Sequence, residues 1–284
     1  MTSFCIRNLK VFFKDKSAVF FSLLAVFIII GLYALFLGDT FSKGFDDIPG
    51  ARYLIDSWIV AGLLAVTSVT TTMGAFEIMV QDKENKIIKD FVASPVKNRS
   101  IVGGYIFGAI IIGIIMSLVA LVLTEIYLIA NGGELMSIPV LIKVIALIVL
   151  STITNSALIL FMVSFFKSIN AFTTASTIIG TLIGFLTGIY LPIGQLPETI
   201  QWVVKCFPVS HAAALLRQVI MRAPMEASFG GTSAETAALF EQFMGVRFDF
   251  NGTIATPLTS ILILLGTAAA FYALSVVNLS RKEI

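Results

Sequence analysis

Charge is what this 284-residue chain has least of: 19 Lys and Arg with 17 Asp and Glu make up only 13% of it. A soluble globular domain usually carries about 25%. Hydrophobic residues fill 57% instead, and the mean hydropathy is +0.97. The net charge of +2 supplies no basic field of the kind that gathers nucleic acid. Histidine is reduced to His211, which removes His-pair zinc chemistry and argues against a Ser-His relay. The two cysteines, Cys5 and Cys206, make no metal set, and the topology derived below places them on opposite sides of a membrane. The chain also lacks a Gly-x-x-x-x-Gly-Lys-[Ser/Thr] phosphate loop and a Gly-x-Ser-x-Gly elbow. It therefore binds no ATP in the P-loop manner and has no hydrolase nucleophile of that type.

What is present is long apolar blocks. Six runs stand out: Ala18 to Leu37, Trp58 to Val80, Ile101 to Ala130, Ile138 to Phe166, Ala171 to Gly194 and Pro257 to Leu279. Each approaches or exceeds the ~20 residues a helix needs to cross a bilayer. Backbone in hydrocarbon must satisfy its own hydrogen bonds, so each is expected to be helical. The alternating pattern of a membrane barrel is absent. The fold class expected is an all-α polytopic membrane protein with six transmembrane helices, an N-terminal interfacial amphipathic helix, and short re-entrant or interfacial helices between spans five and six. The first run ends at Phe36-Leu37-Gly38-Asp39 without a small-x-small cleavage pattern, so it reads as a retained span.

Lys and Arg set the orientation. The segments before span one, between two and three, between four and five, and after six hold 12 of the 19 cations. Both termini are therefore expected in the cytoplasm, with residues 1–284 forming one transmembrane domain. Three segments lie outside the spans. In residues 1–17, Arg7, Lys10 and Lys14 share one helical face and Ile6, Leu9, Phe12 and Phe13 the other, with Phe4 and Val11 off pattern. This predicts a helix lying on the membrane with its cations toward headgroups. In the cytoplasmic loop 81–100, Ile87, Ile88, Phe91 and Val92 pair at helical spacing, and Pro95 stops the helix. Such a helix lies on the membrane or docks into a partner's groove. The outer segment 195–256 carries Glu198 to Phe207 as an interfacial helix stopped at Pro208. A second helix is expected from Ser210 through Arg217, and a third from a Thr232/Glu235 capping box.

Few side chains inside the spans carry chemistry. Glu77, near the cytoplasmic end of span two, and Glu125, in span three, are functional candidates because burying an acid in a membrane is costly. For Glu125, escape to the interface or pairing with a neighbour is the favoured explanation. Glu77 borders the loop helix, within reach of Lys83 or Lys86. Span five carries Gly180, Gly184 and Gly188, a small-xxx-small stripe that permits close helix approach. Hydroxyls and amides recur in span two (Thr70, Thr71), span four (Asn155) and span five (Thr177, Thr181), either lining a polar route or bonding within helices. Asn251-Gly252-Thr253 matches a glycosylation triplet, a pattern frequent by chance.

The whole layout resembles the permease subunit of type-2 ATP-binding-cassette exporters. Glu77 to Pro95, with Asp82-Lys83-Glu84-Asn85-Lys86 and Ala93-Ser94-Pro95-Val96, looks like that family's acid-rich coupling region and the turn after it. Gly188 to Pro197, with Pro192, then Phe207-Pro208 and Leu216-Arg217, looks like its outer signature. The resemblance implies a pore-forming half without its motor. Two such chains, identical or not, would pair with two cytoplasmic ATPase subunits that bind ATP and Mg, and this chain itself would bind no cofactor. It further implies ATPase coupling through Glu77, Asp82, Glu84, Lys86, Ile87, Ile88, Phe91 and Pro95, and a multi-pass location in a bacterial plasma membrane. Export of a drug, antimicrobial peptide or lipid follows, with a hydrophobic or amphipathic cargo favoured by the few charges within the spans. The competing class is a proton-coupled secondary transporter with Glu77 or Glu125 as carrier, although six spans without a clear inverted repeat argue against it. An enzyme or passive scaffold is the third class, and the short supply of His, Cys and paired acids speaks against the enzyme.

Overall fold

The computed structural model describes residues 1–45, 48–93 and 96–281. Pro95 of the loop turn lies outside them. An N-terminal helix α1 (Thr2–Lys14) is followed by a short α2 (Lys16–Ser22). Asp15 separates the two, its carboxylate accepting from Ala18 N at 3.0 Å as a helix cap. The first spanning unit then runs Leu24–Lys43, as α3 (Leu24–Leu32), a π-helical turn Tyr33–Leu37 and α4 (Gly38–Lys43). It is displaced by about two turns from the apolar run read in the sequence. That cap and the break at Leu23 place Ala18 to Ser22 in a separate helix.

Helix α5 (Ala51–Glu84) is the axis of the molecule, 34 residues and so about 50 Å long. In its most apolar stretch 89% of residues are buried, against 17% in α9 (Ile169–Leu186). It begins seven residues before the expected Trp58. The first turns can hold Arg52 and Asp56 because these two pair at 2.8 Å and Tyr127 donates to Asp56 at 2.7 Å. Around it pack α7 (Asn98–Ala130), α8 (Ile138–Val163), α9 and α11 (Pro208–Ile220), with α14 (Pro257–Arg281) on α8. Approach is close where α5, α7 and α8 meet: a Cβ on Gly113 would lie 2.7 Å from Thr152 and 2.8 Å from Thr72.

Among the described residues, six helices are long and apolar enough to cross a membrane, and α10 (Glu198–Cys206) with α11 forms a pair bent by 86°. Pro197 precedes α10 and Pro208 opens α11 at its first position, where a missing N–H costs nothing. Ser210 does not cap α11. It lies within the first turn and donates to Leu186 O at 2.7 Å, fastening α11 to the end of α9. Helices α12 (Arg222–Phe229) and α13 (Ala234–Phe243) follow; α13 is capped by Ser233, one residue beyond the expected Thr232. A two-stranded hairpin, β1 (Asp249–Phe250) with β2 (Thr253–Ile254), turns on Asn251 and Gly252, both at positive φ. Asn-Gly there is accounted for by a tight primed turn. Helices α10 to α13 and the hairpin form a cap on one end of the bundle; α1 and the short helix α6 (Ile87–Ala93) sit at the other.

Candidate functional site: the two ends of the central helix

At the α1 end, three elements converge on the last turn of α5. Asp82 is buried and takes a bidentate ion pair from Arg7, whose Nη2 donates to Oδ1 at 2.9 Å. Tyr105 of α7 donates to the same carboxylate at 2.5 Å. Arg7 also lies over the rings of Phe4 and Phe91, at 5.7 and 5.4 Å. Phe4, off pattern in the sequence, is the wedge of this junction: it packs edge-on against Phe91 of α6 and Tyr105 of α7. Gly104 makes room, since a Cβ there would sit 2.7 Å from the Phe4 ring. Asn8 donates to Gly104 O at 3.2 Å. Helix α1 therefore turns Arg7 inward onto an acid and leaves Ile6 and Phe13 exposed. The expected split of cations outward and apolar groups inward is reversed at these positions, because an ion pair with a buried carboxylate outweighs headgroup contact for Arg7.

The short helix α6 has two sides. Ile88 is buried and Phe91 half-buried against the junction, while Lys86, Lys89 and Asp90 are exposed and Ile87 is intermediate. Lys86 forms the break between α5 and α6 at φ +61°. Glu84 reaches across to accept from Ile169 N, the first residue of α9, at 3.1 Å. An acid at a helix N-terminus is favoured by the unpaired amides there.

Glu77 is exposed, one turn and a half above this junction, and opens into a groove of about 370 Å³ between α2, α5 and α9. Thr70, Phe172, Thr173 and Thr177 share the groove. Thr177 and Thr181 form an exposed ladder along α9, each hydroxyl bonded to the carbonyl four residues back. Thr71 and Asn155 lie elsewhere, inside the α5–α8 contact: Thr71 bonds Thr67 O at 2.7 Å, and Asn155 donates to Ser68 at 2.8 Å. The hydroxyls thus fall into a buried helix-packing set and an exposed groove set. Glu125 takes a hydrogen bond from Met136 N at 3.2 Å and fixes the α7–α8 loop.

The glycines of α9 also divide. Gly180 faces open space, Gly184 is covered by the Tyr190 ring, and Gly188 lies past the helix end at φ +69°. Ile189 N bonds Gly184 O and Gly188 N bonds Phe185 O, both at 3.0 Å, which is a Schellman stop.

At the cap end, Arg217 is fully buried, and no carboxylate among the described residues pairs with it. Its guanidinium lies 4.8 Å from the Trp58 ring centre and donates to Thr187 O at 2.7 Å and Gly245 O at 3.4 Å. The charge is held by carbonyls at the C-terminus of α9, where the helix dipole is negative, and by an aromatic face. Trp58 Nε1 donates to Met244 O at 2.8 Å, so α5, α9, α11 and the strand-side loop meet at one cation. His211, also buried, bridges Ser260 at 2.9 Å and Lys205 O at 2.8 Å, which accounts for it structurally.

A polytopic bundle with a helix wedged under its central rod, a two-sided loop helix and a broken cap is the layout of a family whose description, ABC-2 type transporter, matches residues 2–221. The chain belongs to that family. The match spans every element from α1 to α11 and so includes both ends of α5. No curated protein matches the chain. The ABC-2 protein described here is accordingly a multi-pass membrane subunit of an ABC transporter. Among the coupling residues expected, the structure brings Asp82, Ile88 and Phe91 into one junction. It places Glu84 and Lys86 at its edge and Glu77 away from it in the groove. Sequence reasoning missed Arg7, Tyr105 and Phe4 as members of the junction. The signal for Arg7 was its position among apolar neighbours in a chain poor in charge.

Proposed function

We propose that this ABC-2 subunit is the pore-forming half of an exporter that moves a hydrophobic or amphipathic drug, peptide or lipid out of the cytoplasm. ATP and Mg are bound, and ATP hydrolysed, on two separate ATPase subunits, and a second permease chain completes the pore. Both termini lie in the cytoplasm, in keeping with the 12 of 19 cations on that side. The observation that carries the reading is the two-sidedness of α6. Its apolar side grips α1 and the end of α5, and its polar side, Lys86, Lys89 and Asp90, is exposed and open to a partner.

A push on that surface moves α1, α6 and the end of α5 together, because Asp82, Arg7, Tyr105 and Phe91 tie them. Glu84 passes the motion to α9 through Ile169 N. Nucleotide closure of the ATPases shifts this equilibrium by the difference in their affinity for the two arrangements. The groove beside Glu77, with Thr70 and Thr177 on its wall and Thr181 one turn further along α9, is the proposed cargo path, which a second chain would close. Pro95 remains part of the proposed coupling turn.

Purification of the tagged chain in mild detergent is expected to bring down a stoichiometric soluble ATPase. Lys89→Glu with Asp90→Lys should cut that recovery more than about tenfold, as charge reversal at an interface does, while the chain stays monodisperse. Ile87→Asp with Phe91→Asp should also release the ATPase, but it strikes the α1 wedge as well, so the surface pair is the cleaner test. Normal ATPase retention by the charge-reversed chain would place docking elsewhere. A wild-type chain that comes out alone and inactive would overturn the separate motor.

A further inference from the structure

One cavity belongs neither to the junction nor to the groove. It encloses about 670 Å³ at the cap end, between the outer turns of α8 and α14 and the helices α11 and α12. Its charged lining is Lys143, Arg217, Arg222 and Arg247 against Glu226 and Glu241. Both acids are already matched, Glu226 to Arg222 at 3.0 Å and Glu241 to Arg247 at 2.9 Å. Two cations remain. Lys143 is exposed in the second turn of α8 and has no ion pair among the described residues. Arg217 is buried, and its Nε–H has no hydrogen-bond partner among the described residues. The rest of the wall is apolar, including Leu147, Leu215 and Ile261.

We propose that this cavity seats the phosphate of an anionic phospholipid. A lysine set inside an apolar spanning helix is costly to leave in hydrocarbon without a counter-charge. A lysine at such a position buries its stem against apolar wall and presents its ammonium at the interface, the height at which lipid phosphates lie. The acyl chains have a lane on either side of the seat: Ile138 and Ile142 are exposed on α8, and Leu258, Leu262 and Leu265 on α14. The excess of two positive charges selects against a headgroup that carries its own cation. The site is separate from the cargo groove, which lines other faces of other helices. Its leaflet, the outer one, rests on the orientation proposed above, whereas the binding itself does not.

The test is native mass spectrometry of the full detergent-purified chain titrated with palmitoyl-oleoyl phosphatidylglycerol and, in parallel, the phosphatidylcholine of the same chains. Retention of the anionic lipid should exceed that of the zwitterionic one by about tenfold, the size of one charge-assisted hydrogen bond. Lys143→Gln should abolish that preference, Lys143→Arg should keep it, and Lys10→Gln at the other end should leave it unchanged. Equal retention of both lipids overturns the proposal, as does an undiminished preference in Lys143→Gln or a loss in Lys143→Arg as large as in Lys143→Gln. Displacement of the lipid by millimolar sodium phosphate would reassign the seat to a free anion. ATPase recovery plays no part in the readout, so failure here and failure of the exporter reading are told apart.

Discussion

Arg217 and Lys86 show two different ways in which a single residue is committed. Arg217 is a buried cation whose partners are backbone carbonyls of Thr187 and Gly245 and the face of Trp58. Arg217→Met keeps the bulk and strips the donors, leaving those carbonyls unpaired at about 1–3 kcal/mol each. The expected result is a fall in melting temperature in detergent of roughly 5–10 °C, and an unchanged value would show that the carbonyls find other donors. Lys86 stands at φ +61°, where an L side chain is strained by about 1–2 kcal/mol. Lys86→Gly should relieve that and raise the melting temperature by about 2–4 °C, provided its ammonium is not needed by the ATPase. A loss of ATPase recovery together with the gain in stability would identify Lys86 as part of the docking surface.

At the scale of elements, α1 packs along α7, and its junction end is fixed by the Phe4 wedge, the Arg7–Asp82 pair and the Asn8 bond to Gly104. Phe4 is half-buried, so removing its ring costs less than the about 3–5 kcal/mol of a fully buried one, but it empties the wedge between α1 and α6. Phe4→Ala is therefore expected to release α1, with amide exchange in α1 and α6 rising at least tenfold while α5 and α8 stay protected. Equal exchange throughout would mean that α1 is held by the bundle face of Phe12 instead. Asp82→Asn should do the same more weakly, since Tyr105 still has an oxygen to donate to while Arg7 loses its counter-charge. Helix α9 is the counterpart: little buried along its length, it is fixed by its ends, Glu84 at the first residue and the Schellman stop with Arg217 at the last.

For the molecule as a whole, α5 joins the α1–α6 junction to the cap as one continuous rod. Asp82 near its last turn and Trp58 near its first each gather three or more elements. Helix α5 runs unbroken from Ala51 to Glu84 with no proline inside it, so a displacement at one end would be carried along the helix to the other. Inserting a proline at Val66 should uncouple the ends, so that ATPase association survives and transport-linked stimulation of hydrolysis is lost. Loss of both would indicate that the rod is needed for folding alone.

The amino-acid sequence by itself determined the membrane class, the six helices, the short loop helix and the broken cap. Those follow from run length, charge scarcity and proline placement, which act locally. It also held the family signal, in the acid-rich stretch after Glu77 and the prolines from Pro192 to Pro208. Tertiary structure decided the rest. Whether Arg7 faces lipid or an acid, or whether Thr71 lines a path or a helix contact, depends on which neighbour arrives. The same holds for Gly188, which packs a helix or stops one according to its neighbours. In a chain that is apolar on every face, periodicity cannot name the neighbour, because every side of a helix is equally at home in the bilayer. Only the few polar groups discriminate between sides, and decisive partners lie far along the chain: Asp82 is 75 residues from Arg7 and Met244 is 186 from Trp58.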